Sequence, residues 1–326
     1  MSTHAPSDGP TPWARVVAIP IALTVAVSVI LLAFLWPALT SEPRDLPIAV
    51  SGPSAQVGQL VAGIEQNADG VFDISTVDDR DAAVAAIEHR EAYGAIVLGQ
   101  QPEVLTSSAA SPVAAQALAG VAAQLQAQLQ TPVTVTDVVP LAATDERGVG
   151  LASAVLPLVI GGLLGGILTT LLLVGKSRRI VALALYAAFA GAALTGILQG
   201  WLGVLQGSYV ANAAAIALAM FAIGATVGGL ASLIGRPGLA VGAVTFVLFA
   251  VPLASAAAPV EFLAAPWGAV GQWFPPGAGA TLLRDLSYFP DADAVFPWLV
   301  LAAWAIVGAG LVLAGRALDR SPASTP

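Results

Sequence analysis

The sequence predicts an α-helical polytopic membrane protein: six transmembrane helices, arranged one plus five, with a small α/β extracytoplasmic domain between helices 1 and 2. Composition supports this class, because mean hydropathy is +0.84, hydrophobic residues make up 57% of the chain and charged residues only 10%. Ordinary soluble domains contain about 25% charged residues. The charges also concentrate in one block, from Ser41 to about Arg147, which separates the first apolar stretch from the others.

Six segments are long enough to cross a bilayer, whose hydrocarbon core of about 30 Å requires roughly 20 apolar residues in a helix. They are Val16 to Leu39, Leu151 to Val174, Ile180 to Leu205, Val210 to Ile234, Leu239 to Phe262 and Phe296 to Gly315. The first run is longer than the apolar core of a signal peptide, and no clear small-residue cleavage site follows it. We therefore expect an uncleaved helix at 16–39.

The positions of lysine and arginine predict a multi-pass protein of the cell (plasma) membrane with both termini cytoplasmic. Cytoplasmic loops retain positive charge, and this orientation places Arg15, the KSRR cluster at 176–179 and Arg236 inside. The tails 1–15 and 321–326 are then cytoplasmic, and residues 40–149 are extracytoplasmic. The net charge of −8 argues against nucleic acid as a partner, whereas membrane lipid is an expected one.

Residues 40–149 alternate between short β-rich runs and amphipathic helical runs. The predicted strands are Leu46 to Gly52, VFDISTV, YGAIVLG and PVTVTDVVPL, with helical segments between them. Strand and helix in alternation are typical of a mostly parallel sheet with right-handed crossovers. We expect this domain to bind or dock rather than to catalyse.

Charged clusters in this domain have ordinary structural interpretations. Asp78, Asp79 and Asp81 stand at the start of a predicted helix, where acids match the positive end of the helix dipole, so we interpret them as a cap rather than a cation site. The segment from His89 to Glu91, which includes Arg90, is expected to form an exposed last helical turn.

The five-helix membrane domain, residues 150–320, contains glycine pairs and a broken segment. Pairs such as Gly162 with Gly166 and Gly224 with Gly228 have the small-xxx-small spacing that lets helices approach closely, and we expect them to pack within the chain. Residues 265–295 are apolar but interrupted by proline and glycine. They predict a re-entrant or interfacial hairpin, made of a short helix, a Pro-Gly turn and a second short helix.

No catalytic, cofactor-binding or metal-ligating residue is predicted, and we do not expect an enzyme. The chain has no cysteine and only two histidines, His4 and His89. The VGKS segment at 174–177 resembles the end of a phosphate-binding loop but lacks its first glycine, since Thr170 stands there. Glu261 is the one acid that falls within a predicted span, near its end, where we expect a solvated helix terminus. Uphill movement of a solute would then take its energy from a partner.

Three segments carry a resemblance to a known family: LPIAVSGP at 46–53, AAIEHREAYGAIVLG at 85–99, and FPPGAGATLLRDLSYF at 274–289 followed by FPWLVLAAWAIVGAGLVL at 296–313. With the one-plus-five layout, they resemble ABC-2 type transporter permeases, in the actinobacterial branch related to the YhgE/Pip (phage infection protein) group. The resemblance implies a permease subunit that forms a homodimer or pairs with another permease, works with a separate cytoplasmic ABC ATPase and exports a lipidic or amphipathic compound.

The resemblance also implies roles for individual residues. Four cations would face the ATPase: Lys176, Arg178, Arg179 and Arg236. The outer gate would be formed by the hairpin and its approach: Glu261, Trp267, Trp273, Pro275, Pro276, Gly277, Arg284 and Asp285.

Two other hypotheses stay open. Permeases of this family usually carry an amphipathic helix before span one and a longer loop between spans two and three, whereas here that loop is little more than GKSRR. A non-transporting membrane receptor or scaffold for envelope or secretion machinery is therefore the alternative, with the extracytoplasmic domain as its binding module. Half of a proton-driven exporter would share the layout, but the predicted span 210–234 lacks the acid that such a carrier needs.

Overall fold

A computed structural model describes residues 12–68 and 70–315. Most of the predicted tail 1–15 and all of the tail 321–326 lie outside these described residues. The chain is mostly helical, at 66%, and five of the described helices are long and apolar enough to cross a membrane. They are α1 (Trp13–Leu39), α5 (Val149–Leu172), α6 (Lys176–Thr195, which continues as a π-helix over Gly196–Trp201), α7 (Tyr209–Ile234) and α11 (Val295–Ala314).

Between α1 and α5 lies a five-stranded mixed sheet with three helices, which we name the sheet domain. The strands are β1 (Leu46–Ser51), β2 (Phe72–Thr76), β3 (Gly94–Val97), β4 (Glu103–Thr106) and β5 (Thr134–Asp137), in the order β2-β1-β3-β4-β5. All neighbours are parallel except β3 and β4, which form an antiparallel pair. The sequence prediction contained no strand at β4.

Three helices cover the two faces of this sheet. They are α2 (Ser54–Asn67), α3 (Arg80–Glu88) and α4 (Pro112–Leu129). Side chains alternate along β1, so that Ile48 and Val50 pack towards α2 and α4 while Ala49 packs towards α3. At the start of α3, the Asp79 side chain accepts a hydrogen bond from the Ala82 backbone amide, as its interpretation as a helix cap requires.

The membrane helices pack around α7, which contacts α5, α6 and α11. Glycines allow this close approach. A Cβ atom added at Gly166 would collide with the backbone of Gly224, and one added at Gly308 would lie 2.5 Å from the backbone nitrogen of Thr226. The expectation that these glycines pack within the chain is confirmed. By contrast, none of the residues of α1 is fully buried, and this helix packs chiefly against the π-helix at Thr245–Ala250.

The predicted fifth span, Leu239 to Phe262, is wrong as a continuous helix. Helix α8 (Pro237–Val244) continues as a π-helix over Thr245–Ala250 and then ends, so the helical part has only 14 residues. Pro252 accounts for the break, because proline lacks a backbone N–H and disfavours helical geometry in the residue before it. From residue 251 the backbone turns irregularly, and a short 3-10 helix follows at Val260–Phe262.

The hairpin beyond this break consists of α9 (Trp267–Gln272) and α10 (Pro275–Tyr288). The expected Pro-Gly turn is instead the first turn of α10. Pro275 and Pro276 occupy the initial helical positions, where the missing N–H groups cost nothing. At the corner, the Trp304 indole nitrogen donates to the Trp273 carbonyl at 2.7 Å. Since Trp304 is nine residues into α11, at 1.5 Å per residue the corner lies about 14 Å from the sheet-domain end of the bundle.

Candidate functional site at the junction of sheet domain and hairpin

The sheet domain meets the hairpin through an apolar contact surrounded by charged groups. Leu46 at the start of β1 and Tyr93 before β3 pack with Phe262 and Phe289, all of them buried. Phe289 is placed by the end of α10, and Phe262 by the short helix after the broken fifth segment. This junction brings together residues that are 168 to 195 positions apart in the sequence, and it contains three of the residues that the sequence assigned to an outer gate: Glu261, Arg284 and Asp285.

Arg90 and Asp285 form a largely buried ion pair across this junction. An Arg90 Nη1 atom lies 2.8 Å from the Asp285 Oδ1 atom, and the two side chains are only 17% and 6% exposed. The Arg90 guanidinium also lies 5.1 Å from the centroid of the Phe289 ring, within the range of a cation–π interaction. The expectation that Arg90 belongs to an exposed helical turn is wrong. After α3 ends, its backbone adopts a left-handed conformation (φ 62°) and the side chain is directed to the hairpin.

A second link joins Tyr93 to Glu261. The Tyr93 hydroxyl donates to the Glu261 Oε2 atom at 3.0 Å. Burial, and then the neighbouring Glu261 carboxylate, raise the pKa of Tyr93 above its ordinary value, so the phenol stays protonated and acts as a donor. Glu261 is therefore not a free, solvated helix terminus, as the sequence suggested. The break after Pro252 places it on a 3-10 turn facing the sheet domain.

Arg284 completes the cluster from the hairpin side. The Arg284 Nη2 atom donates a hydrogen bond to the Ala256 carbonyl at 2.7 Å. Ala256 lies in the irregular segment that follows the π-helix. The four charged side chains, Arg90, Arg284, Glu261 and Asp285, balance two positive charges against two negative ones. Arg90 and Asp285 form an ion pair, Arg284 donates to a carbonyl and Glu261 accepts from a phenol, and buried charges with such partners are tolerated where an isolated one would not be. The cluster can hold three segments in one arrangement.

The remaining residues assigned to the gate have structural positions. Pro275, Pro276 and Gly277 are buried in the first turn of α10, and Gly277 lies against the Gly271 carbonyl. Trp267 and Trp273 are about half exposed, at 52% and 62%, on the outside of the hairpin. For Trp267, at the sheet-domain end of the hairpin, a large apolar ring with a polar edge suits a surface facing lipid near the headgroups.

The four cations assigned to an ATPase contact lie at the opposite end of the helices and divide into two pairs. The Lys176 ammonium donates to the Leu313 carbonyl at 3.0 Å, and the buried Arg179 donates from Nε to the Leu173 carbonyl at 2.9 Å. Both thus satisfy carbonyl groups at helix C-termini, where cations are favoured. Arg178 and Arg236 are exposed.

Sequence reasoning missed Arg90 and Tyr93. The segment HREAY resembles any polar helix end followed by a strand, and only the folded chain shows that its arginine and tyrosine point to residues 261 and 285. A single arginine that contacts a distant segment produces no periodic pattern in the sequence. The aromatic residue at the start of a strand was the one feature that could have suggested a contact.

No protein family, curated protein or solved structure matches this chain.

Proposed function

We propose that the chain is the membrane permease subunit of an ABC-type (ABC-2) exporter, which moves a lipidic or amphipathic compound with a separate cytoplasmic ATPase. In this proposal the fold is that of a six-crossing helical protein, in which the broken segment 237–262 and its hairpin complete the fifth crossing. The α/β sheet domain is extracytoplasmic, and Arg178 and Arg236 lie on the cytoplasmic side.

The observation that carries the proposal is the junction. Helix α10 packs on α7, α11 and α5, so any tilt of those helices moves the hairpin. Through Arg90 with Asp285 and Tyr93 with Glu261, the hairpin is attached to the sheet domain. A rearrangement at the end that carries the KSRR cluster can thus reach the sheet domain through rigid, contiguous contacts. Coupling of this kind is what a permease driven from its cytoplasmic side requires.

The distribution of ionisable side chains supports an external energy source. In the described part of the chain, the five long helices carry acidic or basic side chains only within their first four positions: Arg15 in α1, and Lys176, Arg178 and Arg179 in α6. The proposed fifth crossing carries Glu261, Arg284 and Asp285, all at its junction with the sheet domain. Proton- and sodium-driven carriers place ionisable groups deep inside their spans. The cavity between α5, α7 and α10 has a volume of about 20 Å³, room for about one water molecule.

The division among the four cations sharpens the test. We expect the double charge reversal Arg178→Glu with Arg236→Glu to abolish co-purification of an ATPase with the full chain. Both side chains are exposed, so the fold should be retained. The matched control is Arg147→Glu, an exposed reversal beside the start of α5 at the other end of the bundle. If no ATPase co-purifies with the unaltered chain, and if deletion of the chain from cells changes no efflux, the permease proposal fails.

The alternative, a receptor or scaffold without transport, is favoured by one observation. Lys176 and Arg179, which make up half of the proposed ATPase contact, are already engaged with helix-terminal carbonyl groups. This alternative predicts that the segment Leu46 to Thr144, expressed alone, retains the partner binding of the full chain. The permease proposal expects that segment to bind no ATPase.

A further inference from the structure

The sheet domain contains a long groove on the sheet face covered by α2 and α4. The two helices stand apart, and none of the residues from Ser54 to Gln66 is fully buried. Between them lie two adjoining cavities of about 320 and 410 Å³, which share Leu60, Leu125 and Gln128. Each cavity falls within the range of about 300–1,000 Å³ that is typical of small-molecule sites.

The groove is apolar at its floor and neutral at its rim. Ile48 and Ile96 of the sheet form the floor, and both are almost completely shielded from solvent. The polar side chains along the rim are almost all primary amides: Gln56, Gln59, Gln100, Gln124 and Gln128. None of the residues that line the two cavities is charged, although the surrounding domain is rich in acids. An uncharged rim favours an uncharged ligand, because an ion placed there would lose hydration without gaining a partner.

One end of the groove is continuous with the junction. Phe72 lines the 320 Å³ cavity and also packs in the apolar cluster that contains Phe262 and Phe289. The other end reaches Gly99 and Pro102, beyond the opposite end of the sheet. The groove follows α2, whose 14 residues at 1.5 Å each give about 21 Å. It therefore begins beside the hairpin and leads away from the helical bundle.

We propose that this groove binds the hydrocarbon chain of an uncharged single-chain amphipath taken from the membrane, with a hydroxyl-bearing head group held by the glutamine amides. The apolar floor buries the chain, and the amides can both donate to and accept from hydroxyl groups. The site names a substrate class for the proposed exporter, and its role in transport rests on that function. Binding itself does not depend on an ATPase.

A glycine in α2 offers a test with little risk to the fold. Gly63 lines the groove, and a Cβ atom added there meets nothing within 4 Å. Gly63→Leu would fill part of the groove, and leucine is a better helix former than glycine. The matched control is Gly58→Leu in the same helix. A Cβ atom added at Gly58 also meets nothing within 4 Å, but Gly58 lines neither cavity.

The experiment uses the full chain in phosphatidylcholine nanodiscs with a long-chain monoacylglycerol that carries a photoreactive diazirine on its acyl chain. After irradiation, we expect labelled peptides from α2 and α4. Gly63→Leu should reduce that labelling about tenfold or more, since a leucine side chain displaces a comparable length of ligand chain. Gly58→Leu should leave it unchanged. Unlabelled monoacylglycerol should compete more effectively than a fatty acid anion or an alkyl ammonium ion of the same length.

Equal labelling of the two variants, or labelling confined to the membrane helices, would overturn the proposal. So would a change in oligomeric state of Gly63→Leu without a change in labelling, because the groove would then belong to a second copy of the chain. If the labelling follows our expectation but vesicles show no ATP-dependent export, the ligand site stands and the permease proposal fails. If ATP-dependent export occurs but α2 and α4 are not labelled, only the ligand-site proposal is refuted.

Discussion

Removal of either charge of the Arg90 and Asp285 pair should loosen the junction strongly. The pair is 2.8 Å long and its side chains are 17% and 6% exposed, so each single substitution leaves one charge buried without its partner. Breaking such a pair costs about 3–5 kcal/mol, whereas replacing both members by apolar residues is close to neutral. We expect about 3 kcal/mol, the lower end, for Arg90→Met or Asp285→Leu, because Arg90 keeps some contact with water. The double variant should recover most of the loss.

Hydrogen exchange measured by mass spectrometry on the full chain in nanodiscs provides the assay. The peptide that contains Glu42 reports junction opening, since the Glu42 backbone amide donates to the Phe262 carbonyl at 3.2 Å across the junction. A loss of about 3 kcal/mol corresponds to exchange that is more than a hundredfold faster in each single variant. The control is Arg80→Met, which breaks the more exposed ion pair with Glu103 within the sheet domain. It should leave that peptide nearly unchanged.

Two results would refute this reasoning. If both single variants accelerate exchange less than about tenfold, the pair contributes no more than an exposed salt bridge and the junction is not a fixed connection. If the double variant is as unstable as the sum of the singles, the two residues act independently, and their contact does not explain the effect.

Three further predictions concern single contacts. Tyr93→Phe removes the donor to a junction carboxylate and should cost about 1–3 kcal/mol, measured by the same exchange experiment. Gly166→Leu, which collides with the backbone of α7, should lower the thermal stability of the purified chain by about 1–3 kcal/mol, whereas Gly310→Leu, with nothing within 4 Å of its added Cβ atom, should not. The hydrogen bond from Arg80, and to a smaller extent that from Thr136, lowers the pKa of Glu103 despite its partial burial. The stability that the Glu103 carboxylate contributes to the fold is therefore present above the ordinary carboxyl pKa and is lost as the pH falls through the lowered value. Glu103→Gln should remove that acid-dependent step in the resistance of the sheet domain to pepsin, and an unchanged acid profile would contradict the assignment.

Uninterrupted apolar runs could be read from the sequence with good accuracy. The predicted span Val210 to Ile234 differs from α7 by one residue, and Phe296 to Gly315 differs from α11 by one at each end. Hydropathy suffices here, because a helix in lipid satisfies all its backbone groups internally and needs no other signal than length.

Hydropathy alone gave the wrong prediction for the fifth span, Leu239 to Phe262. Residues 251–262 are as apolar as a helix requires, but Pro252 and Pro259 break the backbone hydrogen-bond pattern. The proline signal was present in the sequence and was outweighed by hydropathy. What no local pattern could provide was the consequence: the break leaves space that the hairpin fills, with Gly268 and Gly271 packed on carbonyl groups of the broken segment.

The candidate site was only half predictable for a related reason. Arg284 and Asp285 attracted attention because charges are rare in an apolar hairpin. Arg90, the partner of Asp285, did not, because an arginine in a segment rich in charged residues is ordinary. The ion pair depends on a left-handed residue after α3 and on the packing of two distant segments, and both are properties of the fold.

The most direct test of the central claim is transport into inside-out membrane vesicles that contain the chain and its ATPase partner. A fluorescent, uncharged monoacylglycerol should accumulate when ATP is supplied, should not accumulate without ATP under an imposed proton or sodium gradient, and should lose its accumulation in the Arg178→Glu and Arg236→Glu double variant. Accumulation driven by a gradient without ATP, and abolished by Glu261→Gln, would contradict the account.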